Sequence, residues 1–145
     1  MRRTPWRAVS VVVGLGPVLM SCDGPNRGTQ TQPSSASGFE VVVTMSPNTL
    51  RGATAGTAEA QGGCATVQAE VSDVNGNLVD GALVFLTTTL GAFPATPTRS
   101  ESVGVAGFTV RGVYTDALCA KAERGTGILT ASAEDAFATT TFTVF

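Results

Sequence analysis

The sequence contains no histidine, a single lysine, and one residue each of tryptophan and tyrosine. Without histidine, neither a Ser-His-Asp nor a Cys-His catalytic arrangement can form, and only Lys121 could serve a Ser-Lys variant. The acidic pair Glu134 and Asp135 falls at a predicted turn, where carboxylates are ordinary solvated residues. No glycine-rich segment leads into a helix, as a phosphate-binding loop requires. We therefore expect a protein that is not an enzyme and that holds no cofactor and no metal ion.

An excess of positive charge is absent as well. The formal net charge is −2, and Arg2, Arg3 and Arg7 lie in an N-terminal segment that we expect to be removed. Without these three, 6 of the 9 basic residues remain against 11 acidic ones, which gives a charge of −5. Nucleic acids and anionic membrane surfaces attract basic proteins, so we expect neither as the partner of the mature domain.

The N-terminus has the features of an export signal. Basic residues precede an apolar run at positions 8–20, which is shorter than the roughly 20 residues that cross a bilayer as a helix. The run ends in Leu19-Met20-Ser21-Cys22, which resembles the lipobox of bacterial lipoproteins. The resemblance implies that residues 1–21 are a signal peptide and that Cys22 is acylated and anchors the chain to a membrane. An ordinary secretory signal with an incidental Cys22 is the alternative.

The anchor would place the protein in the bacterial cell envelope, on the periplasmic or the surface face. Residues 23–38 have no hydrophobic periodicity and are rich in Gly, Pro, Ser, Thr and Gln, which is typical of a flexible tether. About 16 such residues reach roughly 20–24 Å as a random coil. We expect one globular domain at residues 39–145, held clear of the membrane surface.

The domain is organised around residues 71–91, which read as two strands joined by a type I′ turn at Asn75-Gly76. Both strands are amphipathic, so one face of this hairpin needs a second sheet to cover it. No segment has a long helical period, although residues 117–123 could form one helical turn. Seven strands are predicted, near residues 39–45, 65–72, 82–89, 98–102, 106–110, 128–133 and 137–144. This spacing predicts an antiparallel β-sandwich.

Several turn and strand signals occur in the order typical of one known family. They are Val71-Ser72-Asp73-x-Asn75-Gly76-Asn77-x-Val79-x-Gly81, Leu83-x-Phe85, Gly91, Gly104-x-Ala106-x-Phe108-x-Val110 and Leu129-Thr130-Ala131. Together they resemble the bacterial Ig-like domains of the invasin and intimin type. The resemblance implies an immunoglobulin-like antiparallel β-sandwich that serves as a structural or adhesive module, with a protein or glycan partner at the cell surface. The carboxypeptidase regulatory-like modules share the first motif but lack the later ones.

The three cysteines sort into two groups. If Cys22 carries lipid, Cys64 and Cys119 are the remaining pair in an oxidising compartment. The predicted strand count places both at the same end of the sandwich, so we expect a disulfide between them. A reactive or metal-binding thiol pair is the alternative, and it would need further ligands.

Two further features have both a functional and a structural interpretation. Asp73, Asn75 and Asn77 resemble the start of a calcium loop, but Gly76 is the fourth residue instead of the sixth, which favours a simple turn. Phe93, Arg111 and Tyr114 fall in predicted loops. There they would either contact a carbohydrate or peptide or cover an end of the core, and a binding domain that uses these end loops is the alternative function.

Overall fold

The computed structural model describes residues 38–54 and 62–145, so the predicted signal peptide, Cys22 and almost all of the tether lie outside it. The described chain is all-β, with eight strands and no helix. The strands are β1 (Phe39–Ser46), β2 (Thr49–Leu50), β3 (Cys64–Asp73), β4 (Leu83–Thr88), β5 (Gly104–Phe108), β6 (Val113–Cys119), β7 (Gly125–Ala133) and β8 (Ala136–Val144). Because β6 covers residues 117–119 and residues 120–123 form no helix, the predicted helical turn there is wrong.

The strands form two sheets. A three-stranded sheet has the order β1-β3-β6, and a five-stranded sheet has the order β2-β8-β7-β4-β5. All pairs are antiparallel except β2 with β8, which run parallel over two residues. The prediction of about seven strands is close, but it does not include β2 or β6, and the segment 98–102, predicted as a strand, forms only isolated bridges.

Buried and exposed residues alternate along the strands, and the buried ones form the core between the two sheets. In β3 every second residue is buried, and the residues between them face solvent or lie half-buried at the strand end. The strands β1, β4, β7 and β8 alternate in the same way. The buried set is apolar, which makes its removal from water the main stabilising contribution. It includes Val43, Val67, Val71, Val84, Leu86, Phe93, Leu118, Leu129 and Phe142.

The predicted hairpin of residues 71–91 is wrong, because β3 and β4 lie in different sheets. The turn exists, but Asp73 pairs with Asn77 across a three-residue loop, and Gly76 alone has a positive φ there, of 79°. A type I′ turn needs positive φ at both central residues, so this turn is of the longer type that ends in a glycine bulge. After Val79 the chain crosses to the other sheet. Two amphipathic strands have the same sequence pattern whether they pair in one sheet or face each other across a core, so the pattern could not distinguish these arrangements.

The apolar face of β5 is also turned outward. Phe108 is 64% exposed and Val110, which follows the strand, is 70% exposed, whereas Val105 and Thr109 are buried. The ring of Tyr114, on edge strand β6 of the other sheet, lies against Gly107 of β5. A side chain at Gly107 would collide with that ring, since its Cβ would come within 2.1 Å of Tyr114 Cε2. Gly107 is therefore a glycine because the tyrosine ring fills the space that a side chain would need.

Candidate functional site

The predicted disulfide between Cys64 and Cys119 is confirmed. The register of β3 and β6 places these residues directly opposite each other, with the Cα atoms 4.0 Å apart and the sulfurs 2.02 Å apart. Backbone hydrogen bonds between Gly62 and Ala120 (2.9 Å) and between Ala120 and Gly63 (2.9 Å) continue the pairing past the bridge. Neither sulfur is therefore a free thiol that could bind a metal or act as a nucleophile.

The Asp73 carboxylate is occupied by its own turn. It accepts hydrogen bonds from the backbone N–H of Asn75 (2.8 Å) and from the backbone N–H of Asn77 (2.9 Å). The Asn77 side-chain amide donates a further bond (3.1 Å), and it is the first cause of a lowered pKa at Asp73. Within residues 38–54 and 62–145, no group of three or more potential ligand side chains could hold a metal ion.

The structure does not bring Phe93, Arg111 and Tyr114 together. Phe93 is completely buried in the core, so its ring is not available for stacking on a ligand. Its neighbour Ala92 pairs with Cys119 at the end of β6, whereas Arg111 precedes the start of that strand. Arg111 lies in a tight turn with a φ of 53°, and its backbone N–H donates to the Asp80 carboxylate at 2.8 Å.

Tyr114 belongs to a polar cluster inside the sandwich edge. Its hydroxyl donates to Asp116 Oδ2 at 2.8 Å, and Arg99 Nη1 donates to the same oxygen at 2.8 Å. Arg99 Nη2 also donates to the Pro94 carbonyl at 2.8 Å, which fixes the loop that carries it. Because the side chains of Arg99 and Asp116 are 29% and 12% exposed, the ion pair is only partly screened by water.

The pKa values of this cluster reflect both burial and pairing. Burial alone would raise the pKa of Asp116, but hydrogen bonds from Arg99 and Tyr114 outweigh it and lower that pKa. Burial and the bond to Asp116 raise the pKa of Tyr114 to about 12. Charged Asp116 and neutral Tyr114 are therefore favoured together, as expected for a cluster that holds β6 to the loop with Arg99.

A groove of about 450 Å³ lies at the opposite end of β3 from the disulfide. We call it the end groove. The β3–β4 connection, the β7–β8 turn and the first residue of β1 form its walls. It is lined by Phe39, Val79, Asp80, Gly81, Ala82, Leu83, Phe85, Ala133 and Glu134. Its volume is in the range of small-ligand sites, and its lining combines apolar side chains with two carboxylates.

Beside the end groove, large apolar side chains are exposed on the outer face of the five-stranded sheet. Leu83 lies directly opposite Phe108, and Phe85 and Phe137 flank Ser132 on either side. Phe85 is 48% exposed and Phe137 is 47% exposed. We call Leu83, Phe85, Phe108 and Phe137 the outer apolar patch.

Sequence reasoning missed the outer apolar patch, although a signal for it was present. In β4 the inward residues Val84 and Leu86 alternate with outward residues that are equally apolar. A strand that is apolar on both faces is typical of a sheet covered on both sides. The end groove had no comparable signal, because it forms where three segments distant in sequence meet.

Comparison of the chain with protein-family models, with curated proteins and with solved structures finds no match. The resemblance to bacterial Ig-like domains therefore stays a prediction from the sequence motifs. Among the described residues, no helix is long and apolar enough to cross a membrane.

Proposed function

We propose that this chain is a non-catalytic lipoprotein of the bacterial cell envelope, with one Ig-like domain that acts as a structural and adhesive interaction module. The observation that carries the proposal is the outer apolar patch. Four large apolar side chains exposed on one sheet face are typical of a surface that another protein covers. Aromatic residues, which supply three of the four, are enriched at the centres of such interfaces.

The strand order supports the Ig-like part of the proposal. An immunoglobulin constant domain has strands A, B, E and D in one sheet and C, F and G in the other, and variable domains add strands beside C. The described residues offer counterparts of A, B and E but no fourth strand for D. Here β1, β3 and β6 share one sheet, β4, β7 and β8 share the other, and β5 lies beside β4. The disulfide differs from that of antibody domains, because it joins neighbouring strands of one sheet and does not cross the core.

Photo-crosslinking in cells tests whether another protein covers the outer apolar patch. A photo-crosslinking amino acid at position 85 of the full chain should give discrete adducts when intact cells are irradiated. The matched control is position 68, because Gln68 is exposed on the outer face of the three-stranded sheet. Adducts from position 85 alone would support the proposal, whereas none at either position, or equal adducts from both, would contradict it.

The anchor on Cys22 needs a separate measurement. Labelled palmitate should be incorporated into the full chain and should be lost in Cys22→Ser. Each buried methylene of an acyl chain contributes ~0.8 kcal/mol to membrane binding, so losing the chains should release the protein from the membrane fraction. Label that persists in Cys22→Ser would contradict the lipid anchor and leave the patch result unaffected.

The end groove favours a second candidate function, the binding of a peptide or carbohydrate. Its lining offers an aromatic surface at Phe85 and carboxylates at Asp80 and Glu134, a combination that suits a ligand with a cationic or hydroxyl-rich group. A glycan or peptide array probed with the full chain should then show a signal that Glu134→Gln weakens. Glu70→Gln, on the other sheet, is the control, and an array without signal would reject this candidate.

A further inference from the structure

The outer edge of β5 carries backbone groups with no strand beside them. Thr109 donates its N–H to the Ala82 carbonyl at 2.9 Å, and the Val103 carbonyl accepts from Thr88 at 2.9 Å. In an antiparallel ladder the backbone groups of alternate residues point to opposite sides. Odd-numbered residues of β5 therefore bond to β4, and Gly104, Ala106 and Phe108 direct their N–H and C=O groups away from it. In the described part of the chain β5 pairs with β4 only.

The outer edge of β6, the edge strand of the other sheet, has several of its outward groups occupied instead. Cys119 exchanges two hydrogen bonds of 2.9 Å with Ala92, and Val113 bonds to Val110. The outward N–H of Ala117 is taken by the Asp116 carboxylate at 2.7 Å. On β5 only Gly104 has such a partner, since its N–H donates to Ser102 Oγ at 3.1 Å. The outer edge of β5 is thus more open to hydrogen bonding than the outer edge of β6.

The residues of β5 offer nothing that blocks the approach of another strand. Edge strands are commonly protected by charged side chains, proline or a bulge. The strand Gly104–Phe108 reads GVAGF and has no charge and no proline. Ala106 and Phe108 are both exposed, so the edge is open at its centre and at its C-terminal end.

We propose that β5 pairs antiparallel with β5 of a second copy of this chain, about a two-fold axis at Ala106. In this register Ala106 exchanges two hydrogen bonds with its counterpart, and Phe108 lies opposite Gly104 of the second copy. The pairing is self-complementary, as an isologous interface requires. Each phenylalanine ring would cover a glycine across the strand pair, an arrangement known to stabilise glycine in edge strands. The proposal deepens the proposed function by naming the partner.

The register also joins the apolar surfaces of the two copies. The two-fold axis is perpendicular to the sheet, so the outer faces of both five-stranded sheets form one continuous ten-stranded surface. The outer apolar patches lie on this surface on either side of the axis. Because the axis reverses the strand direction, the two Gly38 ends point in opposite directions. This orientation suits pairing between chains anchored on two facing surfaces.

A symmetric crosslink tests the register. Hydrogen-bonded residues of an antiparallel pair have Cα atoms about 5.5 Å apart, within the range that a disulfide spans. Ala106→Cys in the full chain should therefore give a covalent dimer under mild oxidation. Thr87→Cys is the matched control, because it is exposed on the same face of β4. Its counterpart would be at least about 14 Å away at the usual strand spacing, too far for a bond.

Sedimentation of the full chain in detergent supplies the second readout. The parent should shift from monomer to dimer as concentration rises, and Ala106→Pro should remain a monomer. Proline there removes an N–H that points away from β4, so thermal unfolding should show that Ala106→Pro still folds. If Ala106→Pro does not fold, Ala106→Lys replaces it as the variant that should remain a monomer. A parent that is monomeric at all concentrations, or equal crosslinking of Ala106→Cys and Thr87→Cys, would overturn the proposal. Adducts from position 85 with another protein would then leave the proposed function intact.

Discussion

The two sheets of the sandwich bury similar faces and expose different ones. The outer face of the three-stranded sheet is polar along β3, where Thr66, Gln68 and Glu70 meet solvent. The outer face of the five-stranded sheet exposes the phenylalanine rings and the leucine of the outer apolar patch. A disulfide and an ion pair close the first sheet, whereas the second has an open edge at β5. The proposal that the five-stranded sheet is the contact surface depends on this difference.

The largest expected effect comes from breaking the covalent link of the three-stranded sheet. Replacing both Cys64 and Cys119 by serine removes a crosslink between residues 55 positions apart. Loop-closure entropy for that separation amounts to about 4 kcal/mol, so the free energy of unfolding should fall by about that amount. Denaturant unfolding of the exported chain measures it, with Cys22→Ser as the control that leaves the domain unchanged. A loss near zero would show that the bridge does not constrain the unfolded chain.

A smaller effect should follow from removing the charge that holds β6 to the Arg99 loop. Asp116→Asn weakens three hydrogen bonds, two of which form the bidentate contact with Arg99 and one of which comes from the Tyr114 hydroxyl. Bonds to charged groups contribute ~1.5–3 kcal/mol, so a loss of about 2 kcal/mol is expected at neutral pH. The exposed carboxylate of Glu70 provides a control, since Glu70→Gln should change the unfolding free energy by less than about 0.5 kcal/mol.

The same cluster predicts how stability depends on pH. The pKa of Asp116 is lowered in the folded protein, so its contribution is present above its ordinary value of 3.8 and is lost as pH falls below it. The pKa of Tyr114 is raised to about 12, so its contribution is complete below 10.0 and is lost as pH rises from there to about 12. Tyr114→Phe should remove the alkaline loss. The chain has one tyrosine, so its phenolate absorbance reports the titration directly, and a midpoint near 10 would contradict the buried contact.

The sequence predicted the positions of individual strands better than it predicted which strands pair with each other. The strands near residues 39–45, 65–72 and 82–89 and the final hairpin occur close to their expected positions, because alternation and turn residues act locally. Assignment of strands to sheets failed at the β3–β4 connection, since burial of one face does not determine which strand lies beside it. The disulfide was predictable from the cysteine count. The end groove and the cluster of Arg99, Tyr114 and Asp116 were not, because their residues meet only in three dimensions.

A further variant probes the contact between β5 and the Tyr114 ring of β6. Gly107→Ala places a Cβ within 2.1 Å of the Tyr114 ring, so the ring or the strand must move. Overpacking of this kind costs typically ~1–3 kcal/mol, and the value at this half-buried edge should be near the lower end. Gly104→Ala is the control on the same strand, because its Cβ would meet its nearest atoms at an ordinary 3.5 Å. Equal stability of the two variants would show that Tyr114 does not pack against β5.

The smallest effect on stability should come from the outer apolar patch, and it tests whether that patch is a contact surface or an uncovered part of the core. Phe85→Thr keeps a residue suited to strands and removes a ring that is 48% exposed, so the free energy of unfolding should fall by less than about 1 kcal/mol. Phe93→Ala removes the same type of ring from a fully buried position and should cost ~3–5 kcal/mol. A contact surface requires the opposite order for association: Phe85→Thr should weaken crosslinking of Ala106→Cys dimers more than Phe93→Ala does, measured at a temperature where both variants are folded. If Phe85→Thr were as destabilising as Phe93→Ala, the ring would be structural, and the contrast between the two sheets would lose its functional meaning.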